Sequence, residues 1–251
     1  MSGVLVLGER AVREAKRTPD ALLPTLLIPL FFLVVNVGQV AETFPSESTP
    51  FLFGQSYAAF TLPSSLLLAA SFGTSALYLV EEIENGYFDK LRATPVPRSA
   101  ISLGRLSAEA IKTAGMTIAL ILLALPFGIR IATGALGWVL LVLITVGWAI
   151  GYSGFMQFVA LKTRSAAATN SASLVFFPLL FLTPNFVPRE RLAGWMETAA
   201  TFNPVTYVME AMRSLILEEF DAEVVGRGFA VVVAFMVIML AINVRTMRTY
   251  D

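Results

Sequence analysis

The chain contains no cysteine and no histidine among its 251 residues. Without thiols there are no disulfides and no thiolate nucleophile or ligand, and without imidazole there is no histidine base, metal ligand or proton relay. Charge is scarce too. Only 14 % of residues are Asp, Glu, Lys or Arg, against about 25 % in a soluble globular domain. The 18 basic and 18 acidic residues cancel, so no excess of positive charge points to nucleic acid. No Gly-x-x-x-x-Gly-Lys-Ser/Thr loop occurs: Lys112-Thr113 and Lys162-Thr163 follow Ile111 and Leu161, so this chain does not cradle ATP phosphates in that way. What is present is apolar bulk, 56 % of the chain, which makes it an integral membrane protein.

A helix needs about 20 apolar residues to cross a bilayer core. Six stretches qualify, over about 20–40, 57–80, 104–128, 136–160, 165–187 and 228–245. Their composition predicts an all-α protein with six transmembrane helices. Arg105, Glu109 and Lys112 fall in the first turns of the third stretch, where the long basic side chains are expected to snorkel toward the interface. No charge lies near the middle of any stretch, which removes the usual carrier of an ion-driven transporter. Thirteen basic residues fall before the first stretch, in the second and fourth connections, at the start of the third stretch and after the last one; Arg130, Arg189, Arg191, Arg213 and Arg227 fall on the other side. The positive-inside rule then puts both termini in the cytoplasm of a multi-pass cell-membrane protein.

Three segments outside the spans carry pattern. Residues 1–18 mix Val4, Leu5, Leu7, Val12 with Arg10, Arg13, Lys16 and Arg17 and lack the order of a cleavable signal peptide. They read as an amphipathic helix on the membrane surface of an uncut chain, a solvated leader being the alternative, with Thr18-Pro19 capping the next helix. The second segment, Glu81 to Arg98, is a dense charged block in a chain that otherwise avoids charge. Its carboxylates Glu81, Glu82 and Glu84 read as a solvated helix end in preference to a metal site. The third, about 188–218, is too polar to span but has apolar residues at helical spacing. Asn203-Pro204 reads there as an N-cap and first-turn proline, giving one helix over 188–202 and another over 203–218, a hairpin dipping into the outer leaflet. Glu210 and Arg213, three apart, are expected to pair.

Together these features resemble the ABC-2 family of ATP-binding-cassette permeases. The likeness is carried by Glu82, Glu84, Gly86, Leu91, Thr94 and Pro95 in the charged block, by Asn203, Pro204, Tyr207 and Arg213 in the outer hairpin, and by the layout of spans. In length and layout the chain is similar to stand-alone drug-resistance permeases of the daunorubicin-exporter type. It departs from the family's Glu-Arg-Glu-x-Gly-Thr pattern, with Ile83 in place of arginine and Tyr87 in place of threonine.

The resemblance implies a type V exporter-like fold, with residues 19–251 as the transmembrane domain, residues 82–95 as a cytoplasmic coupling helix and an extracellular re-entrant cap. It implies no cofactor in this chain, with ATP and magnesium held by a separate ATPase subunit in two copies, and a second permease, either an identical copy or a related chain. Tyr87, Phe88 and Leu91 offer that ATPase an apolar face inside a charged rim, with Thr94-Pro95-Val96-Pro97 as a stiff exit. The cargo is expected to be a hydrophobic or amphiphilic compound, drug or lipid, with a lipid-linked polysaccharide as the alternative and a non-transporting scaffold as the third reading. Phe60, Ser71, Thr74, Tyr78, Phe177 and Phe181 are candidates for its pathway, although such residues also serve helix packing in membranes.

Overall fold

The computed structural model describes residues 19–72, 75–92, 98–218 and 220–249. The helix expected over 1–18 lies outside them, as do Thr74, Thr94 and Pro95. Every regular element among the described residues is helical: α1 (Pro19–Val40), α2 (Tyr57–Ser71), α3 (Ser75–Glu84), α4 (Tyr87–Arg92), α5 (Arg98–Ala124), α6 (Gly134–Thr163), α7 (Ala166–Ser173), α8 (Phe176–Phe181), α9 (Gly194–Phe202), α10 (Pro204–Leu217) and α11 (Ala222–Arg248), with short 3₁₀ turns between some of them.

Four stretches among these residues are long and apolar enough to cross a membrane: Tyr57–Glu84, Ala100–Phe127, Gly134–Thr163 and Ala222–Met247. Two shorter apolar helical stretches, Thr25–Val40 and Ala166–Phe181, accompany them. The long helices leave one apolar face uncovered: Leu27, Phe31 and Val34 on α1, Ile111, Ile118 and Leu122 on α5, Leu136, Val139 and Leu143 on α6, Val233 and Val237 on α11 are all exposed at helical spacing. Stripes this extensive suit lipid contact.

The stretch expected as a continuous span over 165–187 is broken. Ser165 caps α7 by accepting from the Ala168 N–H at 3.3 Å, and the hydroxyls of Thr169, Ser171 and Ser173 fold back onto carbonyls in the preceding turn, a local competition that weakens a helix. Pro178 has no N–H for the Leu174 carbonyl, so the ladder parts between α7 and α8. Pro184 then ends the helical run. The helices that carry the third and sixth spans begin before the apolar stretches do, at Arg98 and Ala222. In the latter case Asp221 is the cause: its Oδ1 accepts from the Glu223 and Val224 N–H groups at 2.8 and 3.1 Å, and the surface pair Glu223–Arg227 extends the first turns.

Helix α6 is the axis of the bundle, packing on α2, α3, α5, α7, α10 and α11. Small residues allow this. Gly147, Gly151 and Gly154 face α11, and a Cβ on Gly151 would stand 2.6 Å from the Phe235 ring, so the helices approach as closely as glycine permits. Trp148 stacks on Phe235 with centroids 4.9 Å apart and donates its Nε1–H to Ser71 Oγ at 2.9 Å. Gln157 accepts from Ser102 Oγ at 2.7 Å, and Asn243 donates to the Gly154 carbonyl at 2.8 Å.

The same close approach recurs where α11 crosses α10. A Cβ on Gly228 would meet Ala211 Cβ at 2.3 Å and the Tyr207 carbonyl oxygen at 2.9 Å, whereas one on Gly226 meets nothing within 4 Å. Gly228→Ala is therefore expected to destabilise by about 1–3 kcal/mol through overpacking. Gly226→Ala, on the open face of the same helix, is expected to be neutral or to stabilise by about 0.5–1 kcal/mol through helix propensity. Thermal unfolding of the purified protein measures both, and equal effects from the two substitutions would refute the packing argument.

Candidate functional site

The charged block is a helix end, a sharp turn and a short second helix. Glycine makes the turn: Gly86 has φ +72, a left-handed backbone that side-chain-bearing residues resist. Asn85 Oδ1 accepts from the Tyr87 N–H at 3.0 Å and starts α4. The continuous helix expected over 82–95 is thus split, with Glu82 and Glu84 in α3 and Tyr87 to Leu91 in α4. The three residues expected to offer one apolar face to a partner also separate. Phe88 is 1 % exposed and anchors α4 to its own bundle, Leu91 is half-buried against the core, and Tyr87 is exposed. Glu81, Glu84, Asp89 and Lys90 are exposed around it.

The expected solvated carboxylate end divides in the same way. Glu81 points to solvent, but Glu82 is buried, on the face of α3 that also carries the fully buried Leu79, and forms an ion pair with Arg105 of α5, itself buried. Arg105 therefore does not snorkel. Lys112 likewise turns to a partner on its own helix, Glu109, at 2.7 Å. The Glu82–Arg105 pair joins the span that leads into the block to the span that follows it. Opposite charges near the facing ends of consecutive spans are the sequence signal for it. Among the described residues no group of three acidic side chains is placed to hold a metal ion.

The hairpin of α9 and α10 is built around Asn203 and Arg213. Asn203 Oδ1 accepts from the Val205 N–H at 3.0 Å, and its Nδ2 donates to the Leu179 carbonyl at 2.6 Å. One side chain therefore caps α10 and ties it to α8, while Pro204 occupies the first turn of α10. The Tyr207 hydroxyl donates to the Thr201 carbonyl at 2.8 Å, closing α9 onto α10.

Arg213 does not pair with Glu210. Its Nε, Nη1 and Nη2 donate to the carbonyls of Phe60, Pro184 and Asn185 at 3.0, 2.6 and 3.0 Å, and the guanidinium lies 3.6 Å from the Phe60 ring centroid. The carbonyls of Pro184 and Asn185 sit where the helical run has ended, so Arg213 supplies donors there that no helical ladder provides, and its bond to the Phe60 carbonyl fastens α10 to α2. Burial pushes its guanidinium down to about 9, which still leaves a cation at neutral pH. Glu210 has Arg189 as its partner instead, at 3.5 Å; burial raises its carboxyl above the ordinary range, with Arg189 and Arg213 opposing.

The candidate pathway residues among those described differ in their surroundings. Phe60 is buried under Arg213, and the Ser71 hydroxyl is occupied by Trp148 and by the Leu67 carbonyl, to which it donates at 2.8 Å. Tyr78 is half-buried on α3. Phe177 and Phe181 belong to an aromatic row: Phe72 to Phe177 at 5.7 Å, Phe177 to Phe181 at 6.5 Å and Phe181 to Phe186 at 6.4 Å. Phe186 completes this row although it lies in a loop, where helical periodicity gives no sign of it.

A family model described as ABC-2 type transporter matches residues 3–217. The chain is 28 % identical over 210 residues to the daunorubicin resistance ABC transporter permease protein DrrB1 of Streptomyces coeruleorubidus, an alignment covering 82 % of this chain and 72 % of that protein. It is 24 % identical over 218 residues to the probable doxorubicin resistance ABC transporter permease protein DrrC from two strains of Mycobacterium tuberculosis, covering 85 % of this chain and 76 % of that protein.

Proposed function

We propose, because the chain belongs to the ABC-2 type transporter family, that it is the permease half of an exporter that moves a hydrophobic or amphiphilic compound out of the cytoplasm or inner leaflet. A member of this family is a multi-pass membrane transport subunit that works with an ABC ATPase, and the ATPase activity resides in that separate subunit. The finer reading is a six-span chain with both termini cytoplasmic, paired with a second permease copy and served by two ATPase subunits that hold ATP and magnesium. The drug-resistance names of its relatives favour a drug or antibiotic as cargo.

The observation that carries this reading is the construction of α4. Phe88 roots the short helix in the bundle while Tyr87, Asp89 and Lys90 remain at its surface. The Glu82–Arg105 pair ties the preceding helix to α5 immediately behind it. A partner pressing on α4 would thus push two spans at once. Closure of the ATPases on nucleotide would drive the α4 helices of the two copies together and open the pathway outward, with the row Phe72, Phe177, Phe181 and Phe186 offering aromatic surface to the cargo.

Two measurements test this. Tyr87→Ala is expected to weaken association with the ATPase subunit by about tenfold, the scale of one well-packed aromatic contact at an interface, and to lower the thermal stability of the permease far less than Phe88→Ala, because Tyr87 is partly exposed and Phe88 is buried. Unaltered association would remove α4 as the docking element. The ATPase activity of the co-purified complex is expected to rise with amphiphilic drugs, and a flat response to all of them would sink the drug-export reading.

A further inference from the structure

At the end of the bundle opposite the charged block, a cavity of about 420 Å³ opens beside the hairpin of α9 and α10. Phe51 and Phe53 form part of its wall, and Arg189, Glu190, Ser214 and Glu218 reach its lining. Its charges are only partly spoken for. Arg213 is held by three carbonyls, and Glu210 takes one side of Arg189 at 3.5 Å. Nη2 of Arg189 is buried with no hydrogen-bond partner in the protein, and the Oγ of Ser214, a residue only 3 % exposed, has none either. A serine hydroxyl in a helix ordinarily folds back onto the carbonyl four residues earlier, so one left open on a cavity wall calls for a partner from outside. Glu190 and Glu218 form no ion pair among the described residues, and burial together with nearby Asp221 raises the Glu218 carboxyl, a strain that an arriving cation relieves.

The lining therefore offers a guanidinium donor to an anion, two carboxylates to a cation and an apolar wall beside them. The aromatic at the rim is held by an unusual backbone: Phe53 has φ +50 and is 56 % exposed. A bulky residue seldom adopts that conformation without a functional reason. Phe53, Trp195, Phe202 and Phe220, all on segments that close this end of the bundle, are exposed, as aromatic side chains at the level of lipid headgroups are.

We infer that this cavity is a binding site for the zwitterionic headgroup of an aminophospholipid. The phosphate lies against Arg189, the primary ammonium against Glu218, Glu190 and the Ser214 hydroxyl, and the first part of an acyl chain against Phe51 and Phe53. The unpaired carboxylates disfavour an anionic headgroup. A quaternary ammonium donates no hydrogen bond to Glu218 or Ser214, which ranks choline below ethanolamine.

Native mass spectrometry of the full chain in detergent, titrated separately with phosphatidylethanolamine, phosphatidylcholine and phosphatidylglycerol, tests the site. Phosphatidylethanolamine is expected to bind most tightly. Glu218→Gln should weaken it about tenfold, the effect of one charge-assisted hydrogen bond, and strengthen phosphatidylglycerol binding by removing a like charge. Phe53→Gly should weaken all three lipids without unfolding the chain, since glycine accepts the left-handed backbone. Equal binding of the three headgroups, or ethanolamine binding indifferent to Glu218→Gln, overturns the inference. Free phosphoethanolamine binding as tightly as the lipid would also overturn it, by making the ligand a soluble zwitterion. The assay contains neither ATPase subunit nor nucleotide, so its failure is distinct from failure of the docking role of α4.

Discussion

Replacing Arg213 by methionine is expected to destabilise the protein by about 3 kcal/mol or more, among the largest effects of any single substitution in the hairpin of α9 and α10. Methionine matches much of the side chain's length and apolar stem but donates nothing. The carbonyls of Phe60, Pro184 and Asn185, which receive its three nitrogens, then lose donors inside a buried site. Each such loss costs about 1–3 kcal/mol when water cannot replace it. Favourable contact with the Phe60 ring at 3.6 Å is lost as well.

Arg213→Lys is expected to fall between wild type and methionine. An ammonium keeps the charge, but it is a compact group and cannot bridge three carbonyls spread over a helix and a loop as a planar fork does. Thermal unfolding of the detergent-purified protein gives the order wild type, Lys, Met. Wild-type stability in the methionine variant would mean that the guanidinium is not what holds α10 to α2 and to the loop after α8.

The second large effect concerns the Glu82–Arg105 pair. Arg105→Ala leaves Glu82 buried without its counter-charge, and Glu82→Ala does the same to Arg105. Each is expected to cost about 3–5 kcal/mol, the usual consequence of breaking a buried pair. Replacing both by apolar residues of similar volume, Glu82→Leu with Arg105→Met, is expected to recover most of that loss, because no uncompensated charge remains. The double-mutant cycle measures this directly. Additive losses, with the double variant as unstable as the sum of the singles, would show that the two side chains contribute through separate contacts. Transport by the double variant then separates stability from coupling: a folded permease with intact ATPase association but weakened export is the expected result if the pair carries force from α4 into α5.

Much of the architecture was legible along the chain because it follows from local rules. Apolar stretches long enough for a bilayer mark the candidate spans. Asn203-Pro204 announces the start of α10, whereas the turn at Gly86 interrupts the helix expected over 82–95 and appears only in the structure. The charged block was visible as a compositional anomaly, and its resemblance to a family motif gave it a role.

Side-chain partnership was not legible in the same way. Spacing on one helix pairs Glu210 with Arg213, yet the carbonyls left open at Pro184 and Asn185 compete for the same guanidinium and win it. Glu82 reads as part of a solvated end, yet its face of α3 turns inward toward Arg105. Phe88 reads as partner-facing, yet it is an anchor. In each case the decision rests on which elements lie opposite, and adjacency in sequence does not encode that.

By itself, then, the sequence determined that this is a helical membrane protein with no Gly-x-x-x-x-Gly-Lys-Ser/Thr loop, because apolar content and motif order are properties of the chain alone. Only the tertiary structure decided which of its few charges face water and which are buried. In a low-dielectric interior a charge goes where a counter-charge or a set of open carbonyls can receive it, and the packing of distant helices creates those places.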